Sequence, residues 1–377
     1  MKVPFLDLNA CYRELQPDLE EAVLRSLRSG CYVGGNEIQA FENEFADFTE
    51  AQFCVAVSNG LAALHLALKA LGVQPGDEVI VPSNTFIATW LAVSECGAVP
   101  VPVEPHPLTC NVDTDLIEAA ITELTKVIIP VHLYGQPADM DAVLSVARRH
   151  GVSVLEDAAQ AHGARYKGHR IGAHGDIVAW SFYPGKNLGA LGDAGAITTN
   201  NPELADRVRV LRNYGSRQRY VNEVQGYNSR LDPVQAAVLQ VKLVHLNEWN
   251  ARRSQVAARY TGAFAETGLL LPTVPDWADP VWHLYCIRHP QRDRLRHLLA
   301  DKGVETLIHY PIAPHLQAAY SGLGYSKGSF PLAELMADSL ISLPIGPAMN
   351  DMQVAHVILS VQAAVSELAD DLIDFCI

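Results

Sequence analysis

Lys126-Val127-Ile128-Ile129-Pro130-Val131-His132, the amphipathic stretch 139–150 and Val152-Ser153-Val154-Leu155 together decide the fold. The two short runs are apolar on both faces, as strands buried in a parallel sheet must be. A strand, a covering helix and a second strand at this spacing make one βαβ unit. Outward from it the pattern repeats, with apolar runs at 78–82, 99–103 and 177–182 and a further amphipathic stretch at 202–212. The chain therefore reads as α/β, with a largely parallel sheet covered by helices on both faces. Ligands in such sheets sit at the carboxyl ends of the strands.

Around Leu231 the pattern changes to one long helix over 233–265, opened by Asp232 and Pro233. Beyond the proline-rich stretch 272–280, apolar runs at 283–288 and 304–309 flank a helical stretch at 291–302, which predicts a smaller α+β unit. The boundary falls between 240 and 270, giving a large unit 1–250 and a smaller C-terminal unit 251–377. No internal repeat or low-complexity tract interrupts this order.

A length of 377 residues is ample for two such units. Asp and Glu total 42 against 28 for Lys and Arg, a formal charge of −14 that disfavours nucleic acid as a partner. Hydrophobic residues at 49% and charged residues at 19% are ordinary globular usage, so no long disordered tail is expected. The seven cysteines, at 11, 31, 54, 96, 110, 286 and 376, include no CxxC pair, and an odd number cannot all pair within one chain. Residues 1–7 lack the apolar core of a signal peptide, and no run of about 18 apolar residues occurs. A reduced, cytoplasmic setting with no membrane partner is the expectation.

HExxH, Walker A, GxSxG and GxGxxG patterns are all missing, which removes the cheapest support for hydrolase, P-loop and dinucleotide readings and leaves no expected metal site. Three other segments place polar residues where a cofactor would lie. In Val154-Leu155-Glu156-Asp157-Ala158-Ala159-Gln160-Ala161-His162-Gly163, Asp157 leaves a buried strand and could pair with a cation such as a protonated pyridine nitrogen. In isolation a strand-capping acid reads equally well, and His162 alone reads as structural. In Ser181-Phe182-Tyr183-Pro184-Gly185-Lys186-Asn187-Leu188-Gly189 a lysine follows a strand and a Pro-Gly turn. A desolvated lysine loses its charge and can attack a carbonyl to form a Schiff base, although a single lysine in a glycine-rich loop is more often a surface charge. In Val57-Ser58-Asn59-Gly60-Leu61-Ala62, a helix start offers free N–H groups to a phosphate, or is an ordinary capped core helix. Combined, a phosphate cradle, an acid for a ring nitrogen and a lysine for an aldehyde meet the three needs of pyridoxal 5′-phosphate.

On these segments, with Pro82-Ser83-Asn84-Thr85-Phe86, Gly226-Tyr227-Asn228-Ser229-Arg230-Leu231 and His309-Tyr310-Pro311, the chain resembles the DegT/DnrJ/EryC1/StrS family of sugar aminotransferases from residue 3 to about 365. The resemblance implies a fold type I aminotransferase: a large domain with a mostly parallel sheet and a smaller C-terminal α+β domain. It implies Lys186 as the lysine joined to the cofactor, Asp157 on the pyridine nitrogen, Gln160 on the ring's 3′ oxygen and Phe86 stacked on the ring. Gly60, the amide of Leu61 and Ser181 would hold the phosphate, with Asn228 arriving from a neighbouring subunit, so that a homodimer completes the site. Two departures stand out: Leu61 where many members have Thr, so that only its N–H is offered, and Ala194 in place of a common glycine.

By the same resemblance, glutamate is the amino donor, and the released lysine amine shuttles a proton between substrate and cofactor. The acceptor is a nucleotide-linked keto sugar. Asn59-Gly60-Leu61 and 307–312 resemble the subgroup that aminates dTDP-3-keto-6-deoxyhexoses in deoxysugar biosynthesis. Tyr183, His309 and Tyr310 would line the sugar, while Arg219 or Arg217 would meet the diphosphate or remain a solvated charge. Amination of a 4-keto sugar or a cyclitol, and a non-catalytic regulatory protein that keeps the cofactor, stay open. Dehydratase relatives carry His in place of the lysine, so Lys186 argues against them.

Overall fold

Seven strands form the central sheet of this computed structural model, which describes residues 1–374; Cys376 lies outside them. They are β1 (Phe53–Val57), β2 (Glu78–Pro82), β3 (Val99–Val103), β4 (Thr125–Ile128), β5 (Ser153–Asp157), β6 (Ile177–Ser181) and β7 (Gly195–Thr199), in the order β1-β7-β6-β5-β4-β2-β3. β6, β5, β4, β2 and β3 run parallel in sequence across the sheet, and β7 alone runs against both of its neighbours. This is the expected α/β architecture, a mostly parallel sheet with helices on both faces. β4 is shorter than the apolar run 126–132: Pro130 has no N–H to give a ladder, and past it Val131 makes only an isolated bridge to Asp157.

Alternation along each strand divides its side chains between two apolar layers. Ala56, Ile80, Ile128, Val154, Val178 and Trp180 pack on one face, against α3 (Asn36–Phe48), α6 (Met140–His150) and α8 (Pro233–Phe264). Val55, Val79, Val127, Leu155, Ala179 and Ile197 pack on the other, against α4 (Gly60–Ala70), α5 (Ile87–Glu95) and α7 (Pro202–Leu211). For this labelling α1 is Leu8–Glu14 and α2 is Gln16–Arg28. The helix expected over 233–265 ends at Phe264, one residue early, and opens with Pro233 as read from the sequence.

A third apolar cluster gathers Tyr260 and Phe264 of α8 with β8 (Tyr285–Arg288), α9 (Arg292–Asp301), β9 (Leu340–Leu343) and α11 (Asp351–Asp374), α10 being Pro331–Ser339. Val3 from the amino terminus belongs to this cluster and bridges Val304. The run 304–309, expected as a strand, is not one. It bridges Val3 at Val304 and then Ser342 at Leu307, so the segment changes partner before consecutive pairs can form, and β8 pairs with β9 instead. Helix α11 includes a stretch, Asp351–Ala369, long and apolar enough to cross a membrane. Its Val354, Val357, Val361, Ala364 and Leu368 are buried at helical spacing in the third cluster, which accounts for that composition.

Candidate active site

The carboxyl ends of β1, β2, β5 and β6 lie on one edge of the sheet, because β1 and β6 are both antiparallel to β7 and therefore point the same way. The loops leaving these ends carry Asn59, Phe86, Gln160 and Lys186, and all four line one cavity of about 700 Å³. The strand-end rule for open parallel sheets places a ligand there.

One end of the cavity is the first turn of α4. Asn59 caps it by accepting from the N–H of Ala62 at 2.8 Å, which leaves the N–H groups of Gly60 and Leu61 free of the helix ladder. Gly60 faces Ser181 so closely that a Cβ there would lie 2.6 Å from the Cβ of Ser181. Any larger residue would fill the space where two amides, a hydroxyl and the positive end of the helix converge, an arrangement suited to an anion.

Asp157 and Lys186 occupy the centre, the first buried and the second partly buried. Asp157 Oδ2 accepts from Thr89 Oγ1 at 2.9 Å and Oδ1 from the N–H of Ala159 at 3.1 Å. Burial raises its pKa, opposed by those two hydrogen bonds and by the charge of Lys186. Burial likewise lowers the Lys186 amine to about 8, with the charge of Asp157 working the other way. Lys186 Nζ hydrogen-bonds no other described residue, so it is an amine readily deprotonated and free to react.

The opposite wall comes from residues distant in sequence. Gln160 Nε2 donates to the Tyr310 hydroxyl at 3.0 Å, while Gln160 Oε1 accepts from the N–H of Tyr134 at 2.6 Å. Tyr134 Oη donates to the carbonyl of His309 at 2.6 Å, and His309 Nδ1 lies 2.8 Å from Ser342 Oγ. Phe86, half exposed, has its ring centroid 5.2 Å from that of Tyr310. Burial lowers the pKa of His309 to about 4, with the charge of Lys186 adding to it, so its ring is neutral near pH 7.

Of the residues expected from the sequence, Gly60, Leu61, Phe86, Asp157, Gln160, Ser181, Tyr183, Lys186, His309 and Tyr310 meet around this one cavity. Asn228 and Arg219 do not: both are exposed and outside its lining. Arg219 lies over the ring of Tyr220, and Arg217 pairs with Asp206 and Glu223 of its own chain. His162 is buried between Trp180 and Phe182, away from the cavity lining. Sequence reasoning missed Thr89 and Tyr134. The i, i+4 spacing of Thr85 and Thr89, whose hydroxyls lie 3.0 Å apart, was a usable signal for the first; Tyr134 gave none.

A model of the DegT/DnrJ/EryC1/StrS aminotransferase family matches residues 13–362. The chain is 56% identical over 364 residues to the erythromycin biosynthesis sensory transduction protein EryC1 of Saccharopolyspora erythraea, covering 96% of this chain and 100% of that one. It is 54% identical over 363 residues to the dTDP-3-amino-3,4,6-trideoxy-alpha-D-glucose transaminase of Streptomyces venezuelae, covering 96% of each. Among solved structures, that of S. venezuelae DesV in complex with a ketimine intermediate superposes with a TM-score of 0.95 at 53% identity, covering 97% of this chain and 98% of that one.

Proposed function

Because the chain belongs to the DegT/DnrJ/EryC1/StrS aminotransferase family and is a pyridoxal phosphate-dependent enzyme that turns a nucleotide-linked keto sugar into an amino sugar, we propose that its substrate is a dTDP-3-keto-6-deoxyhexose. Glutamate supplies the nitrogen, which is placed on carbon 3. The names of two similar transaminases support this, since both describe dTDP-3-amino sugars.

The site observation that carries the reading is the meeting of a partly buried lysine of lowered pKa, a buried acid and a free helix start around one cavity. The donor set fits the cofactor: anion-binding amides at one end, a carboxylate for a ring cation, and an amine for an aldehyde. We assign Gly60, Leu61 and Ser181 to the phosphate, Asp157 to the ring nitrogen, Gln160 to the 3′ oxygen, Phe86 to the ring face and Lys186 to the covalent bond. When bound, the cofactor supplies an electron sink and an aldehyde. Lys186 Nζ then takes and returns the proton of the substrate carbon, as an amine whose pKa is brought near the operating pH can do. Thr89 and the Ala159 amide hold Asp157 in one orientation. Tyr183, His309 and Tyr310 face the sugar, and Arg219, outside its own chain's cavity as Asn228 is, takes the diphosphate of substrate bound to a second copy.

Asn228 reaches the phosphate of a second copy of the chain, so the working enzyme is a homodimer; its exposure and its distance from its own cavity support this. The division at 250/251 falls inside α8, whose first half packs on the sheet and whose second half packs in the third cluster. Six described cysteines, all unpaired, support a cytoplasmic setting.

Borohydride reduction of the yellow holoenzyme followed by peptide mass mapping should place the cofactor on Lys186. Incubation with glutamate and a panel of nucleotide-linked 3-keto and 4-keto sugars should then yield nitrogen at carbon 3. An adduct on another side chain would overturn the site, and nitrogen at carbon 4 would overturn the substrate.

A further inference from the structure

We propose that His283 is a specificity-determining residue of this reaction, its Nε2 accepting a hydrogen bond from a hydroxyl of the acceptor sugar. The proposal rests on the sugar-aminotransferase reading above and adds a contact to it.

The direction of this hydrogen bond is dictated by two backbone carbonyls. Asn250 Nδ2 donates to the carbonyl of His162 at 2.8 Å, so Asn250 Oδ1 is left as an acceptor. Asn187 Nδ2 donates both to that Oδ1 at 2.9 Å and to the carbonyl of Val281 at 2.9 Å. A carbonyl cannot donate, so neither amide can be turned round without setting oxygen against oxygen. Asn187 Oδ1 must then accept from His283 Nδ1, 3.2 Å away. The proton of the neutral ring is thereby held on Nδ1 and the lone pair on Nε2.

His283 lines the same cavity as Lys186 and His309, while Asn187 follows Lys186 directly in sequence. Burial, followed by the charges of Lys186 and Arg253 and by the neighbouring His309 and His162, pushes its pKa well below the usual histidine range. A neutral acceptor beside the Arg253 guanidinium and the Lys186 amine selects its ligand by charge. The ammonium of an amino donor is repelled there, whereas a neutral sugar hydroxyl is not. Both donors enter this cavity in the course of the reaction, and the electrostatics favour the hydroxyl. Gly135 helps set the position: at φ +94° its Cβ would lie 2.8 Å from the backbone nitrogen of His283.

The two half-reactions can be read separately from the cofactor's absorbance, with glutamate alone and then with the keto sugar. His283→Phe should slow the sugar half-reaction by about tenfold, as loss of one hydrogen bond to a substrate does, and leave the glutamate half within about twofold. His283→Gln, which keeps an acceptor at similar reach, should restore most of that loss. Nitrogen-15 NMR of the wild-type holoenzyme should show His283 protonated on Nδ1, with the Nε2 resonance moving on titration with dTDP-glucose. Equal losses in both halves, a loss confined to the glutamate half, no loss, or a proton on Nε2 would each overturn the inference. A wild-type enzyme inert towards every nucleotide sugar would instead defeat the reading beneath it.

Discussion

The floor and the wall of the cavity are built on opposite terms. On the floor, the Lys186 amine and the N–H groups of Gly60 and Leu61 have no hydrogen-bond partner among the described residues. On the wall, Gln160, Tyr310, Tyr134, His309 and Ser342 satisfy one another in a continuous chain. Polar groups kept from water are costly unless matched, so the floor is completed by a charged ligand, whereas the wall is ordered before any ligand arrives. Changes to the floor should therefore abolish chemistry, and changes to the wall should alter the fit of the sugar.

The largest expected effect is on the floor. Lys186→Ala should cut turnover by roughly 10⁴-fold or more, since it removes the group proposed both for the covalent attachment and as the proton carrier. Circular dichroism should stay that of the wild type, and the variant should retain no borohydride-stable adduct. Near-normal turnover would dissolve the distinction between floor and wall. Asp157→Asn should follow at roughly a hundredfold, from a loss of about 3 kcal/mol when one partner of a buried charge pair is removed. The loss should appear in both half-reactions, because the ring nitrogen proposed as the partner of Asp157 is common to them.

Directly beneath the floor, Glu156 tests where chemistry ends and stability begins. It neighbours Asp157 on β5 but points to the other face of the strand. Its Oε2 lies 2.9 Å from His132 Nε2, and its Oε1 accepts from the N–H of Gly175 at 2.6 Å. His132 Nδ1 accepts from the N–H of Ala138 at 3.0 Å, so the ring proton sits on Nε2 and is donated to the carboxylate. Burial raises the Glu156 pKa, yet the bond from His132 and the further contacts from His132, His174 and Gly175 bring it below its ordinary 4.5. A depressed carboxylate pKa contributes stability that is complete above the ordinary value and lost as pH falls through the folded one. Glu156→Ala should cost about 2–4 kcal/mol at pH 7 by orphaning two buried donors. Part of the deficit, measured by denaturant titration, should vanish on acidification below the carboxylate range. A deficit unchanged by pH would show that packing, and not charge, is what Glu156 supplies.

The floor was legible in the sequence because each of its parts is local. Asp157 ends an apolar run, Lys186 follows a Pro-Gly turn and Gly60 opens a helix, so strand periodicity and turn chemistry mark them as candidates, and it is their combination that points to one ligand. Tyr183, His309 and Tyr310 were reached through family resemblance. The bonds that make the wall one unit were not legible at all: Tyr134 meets His309 across 175 positions, and His283 meets Asn187 across 96. Such pairs carry no periodic signal and exist only once the third apolar cluster has docked on the sheet. The fold divides the same way. Parallel strands announced themselves as doubly apolar runs, whereas the run 304–309 looked like a strand and failed to become one because its partners lie in two different places.

The smallest expected effect lies on the wall, at Tyr134. Its backbone sits at φ 60°, where a non-glycine residue is uncommon, and this turn aims both its N–H and its ring into the wall. The N–H fixes the amide of Gln160, and the hydroxyl fixes the carbonyl of His309. Tyr134→Phe removes only the second of these, so about 1 kcal/mol of stability should be lost. Gln160 keeps its orientation, because the bond that sets it is to the backbone. The cofactor spectrum and the glutamate half-reaction should therefore match the wild type, while KM for the keto sugar should rise by roughly threefold to tenfold as the His309–Tyr310 segment loosens. A changed cofactor spectrum in this variant would mean that wall and floor are mechanically continuous through Gln160, and the separation of fit from chemistry would fail at that residue.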